Sequence, residues 1–491
     1  MIPARKSQPI RRRASIATPA FAACLALASL AVPLAAPAQV HSTASAAAGA
    51  TAQRATLEKV IKRQVLPNGM EVIVAENHGV PLATIEIDVR NGAFTQAPGF
   101  EGLAHMYEHM FFKANADLPE PEAFVDRAGE LGAVFNGTTT EERVNYYVTL
   151  PSDSLRGGIQ FIAAALRRPL FRSDELERER QVVLGEYDRA ESNPFSALLN
   201  ETGKILWGSA WSRKDALGER PAILATTPAK LREIQHKYYV PNNSALIVTG
   251  DVNPDSVFRA ARDAFGDWPR GADPFVADPI PPVPPLTAST GKVIEAPIGT
   301  IIVLMQWQGP SVGQDPQSTY AADVFSDVLN QPNSGFQKRL VDSGLFQALG
   351  VNYYTLNQVG PISISGTTTP EKLKAALAAL DSEIARFDDP GYFAAAELEP
   401  VKRQRVVGTA MGLERASGFA HTIGFWWSVA SLEYYLGYAD NMAHQTTKDL
   451  NDYAARYIVN KPRVVGVMID PDSRRRIGLT DKDLLAAGGG R

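Results

Sequence analysis

The chain has 491 residues, 45% of them hydrophobic, with 49 basic and 53 acidic side chains and a formal net charge of −4. That length exceeds one ordinary core and calls for about two to three domains. The acidic balance excludes nonspecific nucleic-acid binding, and the single cysteine, Cys24, excludes a disulfide scaffold.

Residues 1–38 read as a secretory signal peptide. Arg5, Lys6, Arg11, Arg12 and Arg13 precede an apolar stretch from Ala20 to Ala36, and Ala36-Pro37-Ala38 offers a small-x-small cleavage site. The stretch is short for a bilayer span and is broken by Pro33. Its removal takes five basic residues and no acid, moving the net charge from −4 to −9, and leaves no cysteine for thiol catalysis or metal ligation. The expected location is the bacterial periplasm, with no membrane attachment after cleavage. Residues 39–56, rich in Ala, Ser and Thr, read as a flexible segment.

The first folded region is expected over residues 57–268, opening with strand-like runs at Glu71 to Ala75 and Ala83 to Val89. A helix follows with the pattern His105-Met106-Tyr107-Glu108-His109. Two histidines four apart leave the same helix face one turn apart and can grip one ion, and Glu108 lies beside them, placed to take a proton from a metal-activated water. Two histidines that merely share a helix with an acid remain the alternative until a third ligand is found. A second helix is predicted from Ser173, as N-cap, to the stop at Asn193-Pro194. On it Glu179 and Glu186 are seven residues apart, two turns along one face. Most acids there serve as a solvated face, but Glu186 sits beside Val182 and Val183, where a carboxylate costs free energy unless it has a partner.

A Pro-rich linker is expected over residues 269–290, and a second domain over 291–478 before a tail, 479–491. This half restarts with strands at Val293 to Glu295 and Thr300 to Trp307. Glu397-Leu398-Glu399 before Val406-Val407 echoes Glu175-Leu176-Glu177 before Val182-Val183, a diverged internal repeat. The echo lacks chemistry: Gly408, Thr409 and Ala410 stand where a counterpart of Glu186 would fall. Alternating strands and helices in both halves predict an α+β sandwich.

Taken together, these elements resemble the pitrilysin/insulinase family of zinc metallopeptidases, in the short-chain branch with the mitochondrial processing peptidases and bacterial relatives. The resemblance rests on His105-x-x-Glu108-His109, on Glu186 77 residues after His109, on Glu179 seven residues before it, on Asn136-Gly137-Thr138-Thr139 leading to Tyr146-Tyr147, and on Tyr238-Tyr239-Val240-Pro241-Asn242-Asn243 closing at Gly250-Asp251. It covers residues 60 to 475. It implies two similar domains, each a mainly antiparallel sheet covered by helices, forming half of a clamshell. It implies one zinc ion on His105, His109 and Glu186, Glu108 as general base, Glu179 supporting the site from behind, and a peptide substrate added as a strand along Asn136, Gly137, Thr138 and Thr139. For that last segment Asn-Gly is equally a plain turn signal.

One departure stands out. Active single-chain relatives carry an Arg and a Tyr in the second domain that hold the substrate backbone, whereas the matching text here is Ser334-Gly335-Phe336 and Gly344-Leu345-Phe346-Gln347. Arg339, Tyr353 or Tyr354 are the available substitutes, though such positions are ordinarily packing or surface. The expectation is therefore an endopeptidase acting as the zinc-bearing subunit of a homo- or hetero-dimer, its preferred partner a zinc-less homologue supplying the Arg/Tyr pair. A noncatalytic peptide-binding or assembly subunit is the alternative.

Overall fold

The computed structural model describes residues 46–485, and its strands form two sheets. The first contains β1 (Ile61–Val65), β2 (Glu71–Glu76), β3 (Leu82–Val89), β4 (Val134–Thr139), β5 (Val144–Pro151) and β6 (Ser244–Gly250), in the order β1-β2-β6-β3-β5-β4. The second contains β7 (Thr290–Glu295), β8 (Ile301–Gln308), β9 (Ala348–Tyr353), β10 (Pro361–Thr368) and β11 (Val464–Ile469), in the order β7-β11-β8-β10-β9. Each sheet has one parallel pair, β2 with β6 and β7 with β11, and is otherwise antiparallel. Once β1 is set aside, the two orders match strand for strand, so the diverged repeat seen in the sequence is a repeat of topology. The class is α+β, as expected.

The central strands have both faces covered. In β3, Ala83, Ile85, Ile87 and Val89 enter the core that packs against the first half's own helices, while Thr84, Glu86 and Asp88 point to the opposite face, and all seven are fully buried. The cover over that polar face is the helix Ala416–Val429, which belongs to the second half. Arg143 Nη1 donates to the His421 carbonyl at 2.9 Å, Thr249 Oγ1 to the Ala416 carbonyl at 2.6 Å and Arg90 Nη2 to the Trp427 carbonyl at 3.0 Å. Reciprocally, Pro194–Trp207 of the first half lies on the second sheet, where Leu198 packs with Leu304 and Met468. Each sheet is thus covered on one face by a helix from the other half. Ile73, Ala75, Ala245 and Ile247 of the first sheet accordingly belong to the same apolar core as the second half.

The structure departs from the expectations at two places and adds detail at two more. Of the segment 39–56, expected to be flexible, residues from 46 onward lie in the helix Ala46–Val60. Its buried Ala46, Ala50, Gln53 and Leu57 recur at helical spacing and form a face that tertiary packing covers, overriding a composition that reads as loop. Ser173 is the first residue of the helix Ser173–Glu191 rather than its cap: extended Arg172 takes the cap position, and its carbonyl accepts the Leu176 N–H at 2.9 Å. Asn193, expected to stop that helix, also caps the next, accepting from Phe195 N at 3.0 Å. The linker 269–290 includes a short helix, Pro274–Ala277, and runs into β7 at Thr290. The signal-peptide expectation lies outside the described residues, as does the end of the tail.

The close approach of the exchanged helix to β3 depends on Gly424, where an added Cβ would lie 2.3 Å from Asp88 Oδ2 and 2.6 Å from its Cγ. Asp88 is fully buried and has no room to retreat. Gly424→Ala is therefore expected to lower stability by about 1–3 kcal/mol through overpacking, read as a fall in the midpoint of denaturant unfolding.

Candidate metal centre

The helix Leu103–Phe111 is buried nearly all round: Leu103, Met106, Tyr107, Met110 and Phe111 enter the first core, with Tyr107 stacked on Tyr239 at 3.9 Å and Phe111 on Tyr146 at 3.7 Å. This packing fixes the rotation of the helix and turns His105, Glu108 and His109 toward the helix Ser173–Glu191 and the edge strand β4. The two imidazoles lie edge to face with centroids 4.8 Å apart.

Glu186 completes the group. Its Oε2 lies 3.5 Å from His105 Nε2 and 3.7 Å from His109 Nε2, and one ligand atom from each of the three residues falls within 4.8 Å of the others. Bonds of about 2.0–2.1 Å in tetrahedral array put neighbouring ligand atoms about 3.3 Å apart, and the two nitrogen–oxygen separations are close to that edge, the two nitrogens lying within 4.8 Å of each other. The donor set, two neutral-capable imidazoles and a carboxylate, suits a divalent transition ion. Glu179 stands behind the site, its Oε2 3.1 Å from His109 Nδ1 and its Oε1 2.6 Å from Lys113 Nζ. Engagement of Nδ1 leaves Nε2 as the ligating atom.

Electrostatics divides the two histidines. Burial, reinforced by the neighbouring His109, lowers His105 to about 3, so its imidazole is neutral and ready to ligate. Burial lowers His109 as well, but hydrogen bonds to Glu179 and Glu186 outweigh it and raise it to about 9. A cation held by all three groups would take the place of that proton. Both glutamates are held below the usual carboxylate range: burial raises each, and the hydrogen bond and charge of His109 together with Lys113 beside Glu179, and with His105 and Arg189 beside Glu186, outweigh it.

Glu108 sits apart from the ligands. It is 8% exposed, and burial raises it to about 7. Thr139 Oγ1 donates to its Oε2 at 2.7 Å. Gly137 makes the approach possible: a Cβ there would stand 3.0 Å from Glu108 Cγ and 3.1 Å from Oε1. A carboxyl poised near neutrality with one oxygen held and the other free is equipped to accept and return a proton.

The residues singled out from the sequence divide clearly. His105, His109, Glu186, Glu108 and Glu179 converge. Asn136, Gly137, Thr138 and Thr139 lie in β4, which among the described residues is paired only with β5 and so presents an edge, but Thr139 and Gly137 also shape the pocket of Glu108. Sequence reasoning missed Lys113, one turn beyond His109, and the bond from Thr139 to Glu108. The first is visible as i, i+4 spacing; the second joins residues 31 apart and has no local signal. Two of the three substitutes for the missing Arg/Tyr pair are engaged elsewhere, Arg339 gripping Glu383 at 2.6 and 2.7 Å and Tyr353 donating to the Pro310 carbonyl at 3.0 Å, while Tyr354 is partly buried near Thr140 and Glu141.

Comparison with known proteins places this geometry. Among curated relatives, the zinc protease PqqE of Helicobacter pylori is 25% identical over 410 residues, covering 80% of this chain and 86% of that one. An uncharacterized zinc protease, YmxG, of Bacillus subtilis is 24% identical over 358 residues, 72% and 85% of the two chains. The mitochondrial-processing peptidase subunit beta of Dictyostelium discoideum is 22% identical over 206 residues, 42% and 44%. Among solved structures, a protease from Helicobacter pylori superposes with a TM-score of 0.75 at 20% identity, covering 84% of this chain and 99% of that one. The periplasmic protease PqqL from Escherichia coli gives 0.73 at 17% identity, covering 88% and 50%. Residues 71–207, which carry the two histidines and three glutamates, match insulinase (peptidase family M16), residues 225–405 match the peptidase M16 inactive domain, and the chain therefore belongs to the pitrilysin/insulinase family.

Proposed function

We propose that this protein is a zinc-dependent endopeptidase that hydrolyses peptides or unfolded polypeptides, with His105, His109 and Glu186 holding one zinc ion and Glu108 acting as general base. The observation that carries this reading is the meeting of two Nε2 atoms and one carboxylate oxygen beside a buried carboxyl raised to about 7. Zinc in that position supplies Lewis acidity, polarising a carbonyl and acidifying a water toward a pKa of about 7. The chain's own groups do the rest. Glu108 receives the water's proton on Oε1, while Thr139 keeps Oε2 in place, and returns it to the leaving amine. Glu179 steadies the His109 ring through Nδ1. A peptide pairing along Asn136–Thr139 is aligned by main-chain bonds, so its scissile carbonyl is presented without side-chain recognition. No covalent intermediate is needed.

The same reading makes the chain one subunit of a dimer. The Arg and Tyr that relatives are expected to use are replaced by Ser334-Gly335-Phe336 and Phe346-Gln347, and Arg339 and Tyr353 are committed to internal bonds. A zinc-less homologue supplying the pair is the partner this favours. The basic and apolar leader supports export to the periplasm.

Elemental analysis of purified protein should find one zinc per chain, and cleavage of a quenched peptide should stop on chelation; zinc without cleavage, alone or with partner, would leave the peptide-binding subunit as the function. Glu108→Gln should keep its zinc and lose cleavage by at least about 100-fold, a result at the wild-type rate being incompatible with its role as base. Glu179→Gln should weaken zinc affinity by about 10- to 100-fold, measured by competition with a chromogenic chelator. Co-expression with a neighbouring zinc-less homologue should raise the rate on the same peptide, whereas full activity from the lone chain would remove the case for a partner.

A further inference from the structure

The hairpin joining β4 to β5 begins at Thr139, the donor to Glu108, and its tip reaches the second half of the chain. Glu142 at that tip is 2% exposed. Its Oε2 accepts the backbone N–H of Asn357 at 2.6 Å and its Oε1 that of Gln358 at 2.8 Å. Asn357 and Gln358 lie in the loop between β9 and β10, and two successive amides aimed at one carboxylate form an anion nest. The loop is itself held: Lys214 Nζ donates to the Val359 carbonyl at 2.6 Å and Val312 N to the Leu356 carbonyl at 3.0 Å. On the hairpin side, Arg143 reaches the exchanged helix at His421.

A buried carboxylate costs free energy unless it is bonded, and here its bonds cross from one half to the other. Among the described residues β4 pairs with β5 alone, and beyond Thr139 the hairpin is held from the first half by Ala93 N on the Thr140 carbonyl at 3.1 Å and Phe94 N on the Glu141 carbonyl at 2.8 Å, and from the second half by the bonds to Glu142. Glu142 is three residues from Thr139, which in turn holds Glu108. We propose that Glu142 is a positioning residue: by clasping the Asn357–Gln358 amides it helps fix the end of the edge strand and thereby the Thr139 contact to Glu108, so that the second half, in which no ligand set is found among the described residues, acts on the base of the first. This rests on the reading of Glu108 as general base.

The test uses the full zinc-loaded chain, with Glu142→Ala and the milder Glu142→Gln, whose amide oxygen still accepts one bond. Hydrogen–deuterium exchange over residues 134–144 should quicken by about tenfold or more in Glu142→Ala, and less in Glu142→Gln. On a quenched peptide, kcat should fall about 10- to 100-fold while KM and zinc stoichiometry stay within about twofold, with Glu142→Gln partly rescuing the loss. Unchanged exchange in this segment overturns the proposal, as does quickened exchange with kcat unaltered. If Glu142→Ala does not fold, Glu142→Gln decides by the same readouts. If the wild-type chain cleaves nothing even with a partner, the peptidase reading fails and takes the role in catalysis with it, while exchange still decides whether Glu142 clasps the hairpin.

Discussion

The structure depends on covering the far face of the first sheet. Glu86 and Asp88 point there from the central strand, both fully buried, and burial together with the neighbouring Glu86 raises Asp88 well above the usual carboxylate range. Charges in such a place must be bonded or protonated. Arg143 lies 3.8 Å from Glu86 and 3.6 Å from Asp88, Asn145 donates to Glu86 at 2.8 Å, and His421 reaches Glu86 from the covering helix. That helix comes from the second half, so neither sheet buries both its faces with its own segment of chain. The exchange of covering helices makes the two halves one folding problem.

The candidate metal centre is shaped by this arrangement. The residues proposed to hold the ion sit on two helices of the first half, but the edge strand that shapes the pocket of Glu108 ends in a hairpin bonded to the second. Three glutamates in one small region are tuned apart by surroundings alone: Glu179 and Glu186 are held low, against their burial, by the hydrogen bond and charge of His109 and by the other charges beside them, while Glu108, with burial dominant, is raised to about 7. Ligand and base are the same side-chain chemistry, separated by what each one touches.

The second half shows what becomes of the same scaffold without an ion. The helix Pro316–Asn330 follows β8 as the His-bearing helix follows β3, and carries Asp323 and Asp327 at the four-residue spacing of His105 and His109. From the helix Ala395–Met411, Arg405 bonds Asp327 at 2.9 Å and approaches Asp323 at 3.9 Å, about one turn before Gly408, Thr409 and Ala410, where a counterpart of Glu186 would fall. A guanidinium built into the chain there neutralises paired acids, where the first half brings together the residues proposed to hold a cation.

The sequence by itself determined the class of fold and picked out the candidate ligand set that the structure brings together. His105, Glu108, His109 and Glu186 were readable because helix periodicity converts spacings of three, four and seven into shared faces; the apolar cue for Glu186 held only in part, since Val183 is fully buried and Val182 is exposed. The repeat was readable from the echo between residues 175–183 and 397–407. What only the tertiary structure decided involves contacts without local period: the helical state of Ala46–Val60, the cover of each sheet by the other half's helix, Thr139 against Glu108, and Glu142 in the amides of Asn357 and Gln358. Those pairings join residues 31 to several hundred positions apart, and they are selected by burial and complementary hydrogen bonding, which exist only once the chain has closed on itself.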